Sequence, residues 1–189
     1  AYIAESIHLD FDIQGHVVTV TNQSVYRCDD PSHPPLTLHR GKYPQLQSVR
    51  VNGQEVDHTL TDTELQIPYP GDAPFTLEII STLTPSENTD LEGLYVSGDM
   101  LCTQCEAEGF RNITFWQDRP DVMSVFTVRI NADKARYPVL LSNGDLLESG
   151  VMDDGRHFTT WHDPHKKTGH LFALVAGDLD YIQDHFQTM

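Results

Sequence analysis

A mainly β fold, an antiparallel β-sandwich or a large curved double sheet, is what this sequence predicts. Three observations carry that expectation: apolar and polar residues alternate in short runs, Asn-Gly and Asp-Gly pairs punctuate those runs, and no stretch sustains a helical period. Side chains of a strand point to opposite faces in turn, so alternation is the mark of a sheet with one wet and one dry side.

In the first thirteen residues Ile3, Ile7, Leu9, Phe11 and Ile13 fall largely on one parity, with Glu5, His8, Asp10 and Asp12 between them. This reads as a half-buried strand, turned at Gly15 into a returning strand over 16–23, HVVTVTNQ, rich in β-branched residues. Three prolines in 28–35 forbid regular structure there, and 36–40, LTLHR, resumes as a strand. The run 46–51 meets Gln54-Glu55-Val56 across Asn52-Gly53, the pair that most readily supplies the positive φ of a two-residue hairpin.

Two more strands are expected over 64–70 and 75–85, separated by PGDAP, and 85–93 is polar enough to cross the surface. A short helix is expected near 120–125, because Pro120 suits a first turn and Asp121 faces the positive end of a helix dipole. A strand over 126–132 comes next, then two hairpins turning at Asn143-Gly144 and Asp154-Gly155. The nearly all-apolar run 169–177 reads as a strand covered on both faces, and 180–189 closes the chain without a clear cap. No internal repeat is evident, and residues 1–189 are read as a single domain, a permissible size for an all-β unit.

Composition narrows the function. At 39% hydrophobic and 21% charged, the chain is an ordinary globular one. Its formal charge of -16 repels polyanions, which argues against nucleic acid as a partner and mildly favours cationic ligands. No apolar run approaches the roughly 18 residues of a membrane span, and the first residues lack the features of a signal peptide. Three cysteines, Cys28, Cys102 and Cys105, make no complete disulfide framework, so a reducing, cytoplasmic setting is expected. The Cys102-x-x-Cys105 pair has no second CxxC to complete a zinc site and reads as packed thiols.

The chemistry concentrates in CTQCEAEGFRNITFWQDRPDV, residues 102–122, where Gln104, Glu106, Glu108, Arg111, Asp118, Arg119 and Asp121 alternate with Phe110, Phe115 and Trp116. Such a mixture suits the wall of a cleft. No HExxH is present, although two histidines one helical turn apart with an adjacent glutamate are what a zinc peptidase needs. Neither a GxSxG elbow nor a phosphate-binding glycine loop occurs, and the close histidines of HDPH, 162–165, are read as loop residues and not as a metal site. The residues alone therefore supply no complete catalytic set.

The run from Gly98 to Gly144, followed by GRHFTTWHDP and LFALVAGDLD, resembles the amino-terminal domain of the bacterial aminopeptidase N family, zinc-dependent alanyl aminopeptidases of the gluzincin group. The resemblance implies a saddle-shaped β domain and a helical catalytic domain of the same polypeptide that holds the zinc outside this chain. It implies that the fragment alone is inactive, and that its task is to bind the free amino terminus of peptide substrates. The family's Gln-x-Glu motif stands here as Gln104-Cys105-Glu106. Glu106 is then expected to accept hydrogen bonds from the substrate ammonium, with Gln104 beside it lining the first side-chain pocket. Arg111, Asp118 and Arg119 are expected to shape the loop, Arg111 or Arg119 pairing with Asp118 or a backbone carbonyl, and the Glu106–Ala107 peptide is expected to be cis. The alternative from another class is a non-catalytic β-sandwich module that binds a protein or a carbohydrate.

Overall fold

A computed structural model describes residues 1–187; residues 188 and 189, the end of the expected uncapped tail, lie outside the described residues. In chain order the strands are β1 (Tyr2–Gln14), β2 (Val17–Cys28), β3 (Leu36–His39), β4 (Gln45–Val51), β5 (Gln54–Glu55), β6 (Thr59–Leu60), β7 (Glu64–Ile67) and β8 (Phe75–Leu83). They continue as β9 (Gly93–Ser97), β10 (Met100–Gln104), β11 (Met123–Ala132), β12 (Val139–Ser142), β13 (Asp145–Val151), β14 (His157–Thr168) and β15 (Leu174–Gly177). The mainly antiparallel β architecture is thus the one found. It is distributed over an eight-stranded sheet, β13-β14-β11-β1-β2-β8-β4-β5, a four-stranded sheet, β12-β15-β10-β9, and a three-stranded sheet, β3-β7-β6. One neighbour pair departs from the antiparallel pattern: β1 runs parallel to β11.

One face of the large sheet is dry. Ile7, Leu9, Phe11 and Ile13 of β1, Val18, Val20 and Tyr26 of β2, and Phe126, Val128 and Ile130 of β11 are all buried on it. The alternation changes parity near the start of β1, where Tyr2 and Ala4 are buried instead of Ile3, because the pairing with β2 slips between Ala4 and Ser6. One extra residue at a bulge moves every earlier side chain to the opposite face.

The residues that cover this dry face come from the two smaller sheets and from the segment 105–122. Phe110 meets Trp116, Phe126 and Phe172 with ring centroids 6.1, 5.9 and 5.3 Å apart, and Phe11 stacks on Phe172 at 5.9 Å. A buried aromatic cluster of this kind combines large apolar areas with favourable edge and offset contacts. It joins β1, β11, the 105–122 segment and the approach to β15.

The Asn52-Gly53 hairpin is present, with φ of 50° and 79° at its two turn residues. Four sequence expectations are corrected. No helix forms at 120–125: residues 119–121 make a turn and β11 begins at Met123, since the hydrogen bonds of that stretch are taken by β1 on one side and β14 on the other. Asn143-Gly144 is not a hairpin, because β12 pairs with β15 while β13 pairs with β14, so the turn carries the chain from one sheet to another. Asp154-Gly155 does close the β13–β14 hairpin. The 169–177 run is a strand only from Leu174, after a 3-10 turn at Gly169–Leu171. HDPH lies within β14 rather than a loop; the register slips there between Ser124 and Phe126, where β14 carries extra residues around Pro164.

Candidate functional site

Strand β10 ends at Gln104, and the alternation of exposed Gln104, buried Cys105 and exposed Glu106 sends the two polar side chains outward together. Cys105 is an anchor: burial, then the nearby Asp118 charge, pushes its thiol far above the ordinary cysteine range, so it packs as a neutral group. Cys28, Cys102 and Cys105 are all free thiols. The Gln104 amide Nε2 donates to the Glu106 carbonyl at 3.3 Å. The Glu106–Ala107 peptide is cis.

The chain then folds back on the end of β10. Gly109 donates its N–H to the Cys105 carbonyl at 2.9 Å, and a Cβ at Gly109 would stand 2.4 Å from the Gln104 carbonyl oxygen, so only glycine allows this approach. A 3-10 turn at Phe110–Asn112 next drives Phe110 into the core.

Arg111 holds this loop to the stretch around Asp118. Its backbone N–H and its Nε both donate to Asp118 Oδ2, at 3.0 and 3.1 Å, and its Nη2 donates to the Asp118 carbonyl at 2.9 Å. Asp118 has a side chain only 3% exposed, so the pair is largely withdrawn from solvent screening. Nη1 also reaches the exposed Glu108 carboxylate at 3.3 Å. Arg119 does not join this group; it forks onto Asp121 outside the loop, with two bonds of 2.9 Å between exposed side chains.

A second clamp comes from β3 and the residues after it. Gly41 N–H donates to the Arg111 carbonyl at 2.8 Å and Lys42 N–H to Asn112 Oδ1 at 2.9 Å. His39 exchanges backbone hydrogen bonds with Trp116, and its ring Nδ1 accepts the Asp118 N–H at 3.0 Å. Burial first, and then the Arg111 guanidinium, lowers the His39 pKa.

Above the loop is a cleft of about 300 Å3 lined by Glu106, Ala107, Glu108, Asp118, Pro120 and His170. The His170 ring is steadied by the Thr168 hydroxyl, 2.9 Å from Nδ1. Among the described residues the Glu106 carboxylate makes no hydrogen bond or ion pair, which leaves its lone pairs free for an external donor. A larger open groove of about 540 Å3 lies beside Val56, Ile67, Pro68 and Tyr69, but the polar groups of the 105–122 loop do not reach it, so we place the site at the smaller cleft.

The structure therefore brings Glu106 and Asp118 to one cleft, sets Arg111 behind it, and leaves Arg119 outside. His39 and His170 were not singled out by the sequence. Neither has a local signal: His39 meets Asp118 across 79 positions of chain, and His170 reaches the cleft because β14 ends at Thr168 opposite Met123, just after the 105–122 segment. Among the described residues no three histidine, cysteine or carboxylate side chains converge as a metal centre requires. Nor is any helix among them long and apolar enough to cross a membrane.

Fold and site together define a β domain that presents an unpaired carboxylate at the mouth of a cleft and braces it from within. The chain belongs to the peptidase M1 N-terminal domain family, which it matches over residues 11–171. It is 47% identical over 185 residues to aminopeptidase N of Escherichia coli strain K12, covering 95% of this chain and 20% of that protein. To aminopeptidase N of Haemophilus influenzae it is 42% identical, covering 99% of this chain and 22% of that protein. The chain thus spans about a fifth of the length of these relatives.

Among solved structures, Legionella pneumophila aminopeptidase A in complex with aspartic acid superposes with a TM-score of 0.87 at 34% identity, over 95% of this chain and 22% of that one. An M1 zinc metallopeptidase from Deinococcus radiodurans, bound to a Tyr-Ser-Ala substrate, superposes at 0.79 over 93% of this chain and 42% of that one. At 16% identity the second likeness shows the fold alone.

Proposed function

We propose that this chain is the substrate-recognition domain of a zinc-dependent aminopeptidase, with the zinc and its ligands contributed by a catalytic domain of the same polypeptide. Glu106 accepts hydrogen bonds from the α-ammonium of a peptide. Gln104, exposed beside Glu106 but outside the lining of the cleft in this domain alone, lines the pocket for the first side chain once the catalytic domain completes it. An exopeptidase must recognise a free amino terminus, which has a pKa near 8 and is largely charged at neutral pH. A carboxylate in a partly desolvated cleft is the directional partner for that charge, and holding it fixes the distance from the ammonium to the scissile bond.

The observation that supports this reading is the Glu106 carboxylate itself, exposed on the cleft without an internal partner among the described residues, while the other two carboxylates of the cleft, Glu108 and Asp118, are each tied to Arg111. The family match, and relatives named aminopeptidase N, favour it over a free-standing protein- or carbohydrate-binding module. The complete active site then needs the remainder of the polypeptide, and the isolated chain is inactive. Tyr181, Ile182 and Phe186, almost fully exposed beyond β15, suit the start of a segment that packs against such a companion.

The test is Glu106→Ala in the full-length enzyme. Its kcat/KM on an alanyl substrate should fall by the equivalent of about 2 to 5 kcal/mol, the range for removing one member of a desolvated charge pair. Kinetics close to those of the unaltered enzyme would remove Glu106 from this role.

A further inference from the structure

A backbone N–H is a permanent donor, so the ring nitrogen 3.0 Å from the Asp118 N–H must offer a lone pair. His39 is therefore a neutral imidazole whose proton sits on Nε2. If Nδ1 gained a proton, two donors would face each other across that contact. The ring would have to turn away, and an imidazolium so close to the Asp118 carboxylate would compete with Arg111 for it.

The surroundings work in the same direction. The charged and titratable groups facing His39 are Arg111, Asp118 and Arg119 of the loop and Glu64 of β7, its cross-strand neighbour. Asp118 and Glu64 favour an imidazolium, but burial and the guanidinium of Arg111 outweigh them, and Arg119 adds to the opposition. The Asp118 carboxylate is already occupied by Arg111, through the backbone N–H and Nε.

We propose that His39 is a positioning residue for the Glu106 loop: as a neutral acceptor it fixes the Asp118 backbone where Asp118 can lock Arg111, and protonation of the ring releases that lock. The link to catalysis rests on reading Glu106 as the ammonium acceptor; the link to loop order does not. The sign comes from the direction of the shift. Because the folded pKa lies below the ordinary 6.5, the unfolded or opened loop takes up the proton first as pH falls. The stabilisation is fully present above 6.5 and is lost as pH falls through the folded value.

The experiment compares the full-length enzyme with His39→Asn, whose side-chain oxygen accepts the same N–H at every pH. Hydrogen exchange of peptides spanning 110–122 is followed by mass spectrometry at pH 7.5 and pH 5.5 and corrected for intrinsic exchange. Protection in the unaltered enzyme should fall by up to about tenfold, the limit for one proton taken up at an ordinary histidine value. His39→Asn should stay flat, and kcat/KM should decline more steeply below pH 6.5 in the unaltered enzyme than in the variant. If His39→Asn does not fold, His39→Gln supplies the same acceptor. An identical pH response in enzyme and variant, or full protection of the enzyme at pH 5.5, overturns the proposal. Glu106→Ala measured alongside separates the two readings: normal kinetics there defeat the substrate assignment and leave the exchange result to decide the role of His39.

Discussion

Between positions 105 and 122 the chain forms almost no regular pairing, yet Cys105, Phe110, Ile113, Phe115, Trp116 and Val122 are all buried. Strand β13 is the reverse: it is hydrogen-bonded along its length to β14, yet Leu146, Leu147 and Val151 are 50%, 62% and 70% exposed. Regular pairing and burial need not coincide, and in the 105–122 segment it is burial that ties the chain to the core. The irregular segment can be buried because its polar groups find distant partners: the Asn22 amide donates to the Thr114 hydroxyl and to the Phe115 carbonyl, and the Gly41 N–H to the Arg111 carbonyl. Edge strand β13 needs only its neighbour.

The largest effect that bears on this contrast is that of Phe110→Ala. Removing a fully buried ring that touches Trp116, Phe126 and Phe172 should cost about 3 to 5 kcal/mol in denaturant unfolding. A loss below about 1 kcal/mol would mean the loop is only draped over the core. Asp118→Ala comes next, at about 3 kcal/mol, the low end for breaking a buried pair since Arg111 is partly exposed. Its marker is a rise in exchange of the 110–122 peptides greater than any rise elsewhere. At the other extreme, Leu147→Ser on the edge strand should change stability by no more than about 0.5 kcal/mol. A cost of several times that in the same unfolding measurement would reveal a contact on β13 that its exposure denies.

The same contrast explains how much the residues alone could reveal. Asn52-Gly53 and Asn143-Gly144 carry the same turn chemistry, and only the first makes a hairpin. The dipeptide permits positive φ at its glycine; it does not choose the partner strand. At the second, the Asn143 side-chain amide is taken by the Leu171 carbonyl and the Ala173 N–H, which ties β12 to the approach of β15 and sends β13 elsewhere. Pro120 and Asp121 are sound helix-start residues in isolation, but the chain from Met123 onward is claimed by β1 and β14. That Gln104 and Glu106 point outward together around buried Cys105 was readable, because period-two spacing is local. His39 and His170 were not, since each reaches the loop from another part of the chain.

Near neighbours in the chain were enough to set the alternation that makes strands, the Gly53 and Gly155 turns, and the concentration of charged and aromatic residues in one short segment, because each depends on groups a few bonds apart. Which strand met which, the choice of Arg111 over Arg119 to lock Asp118, and the capture of the loop's backbone by a histidine of β3 were left to the folded molecule. Those outcomes turn on packing between segments far apart in the chain, where the burial of an aromatic cluster outweighs any local preference.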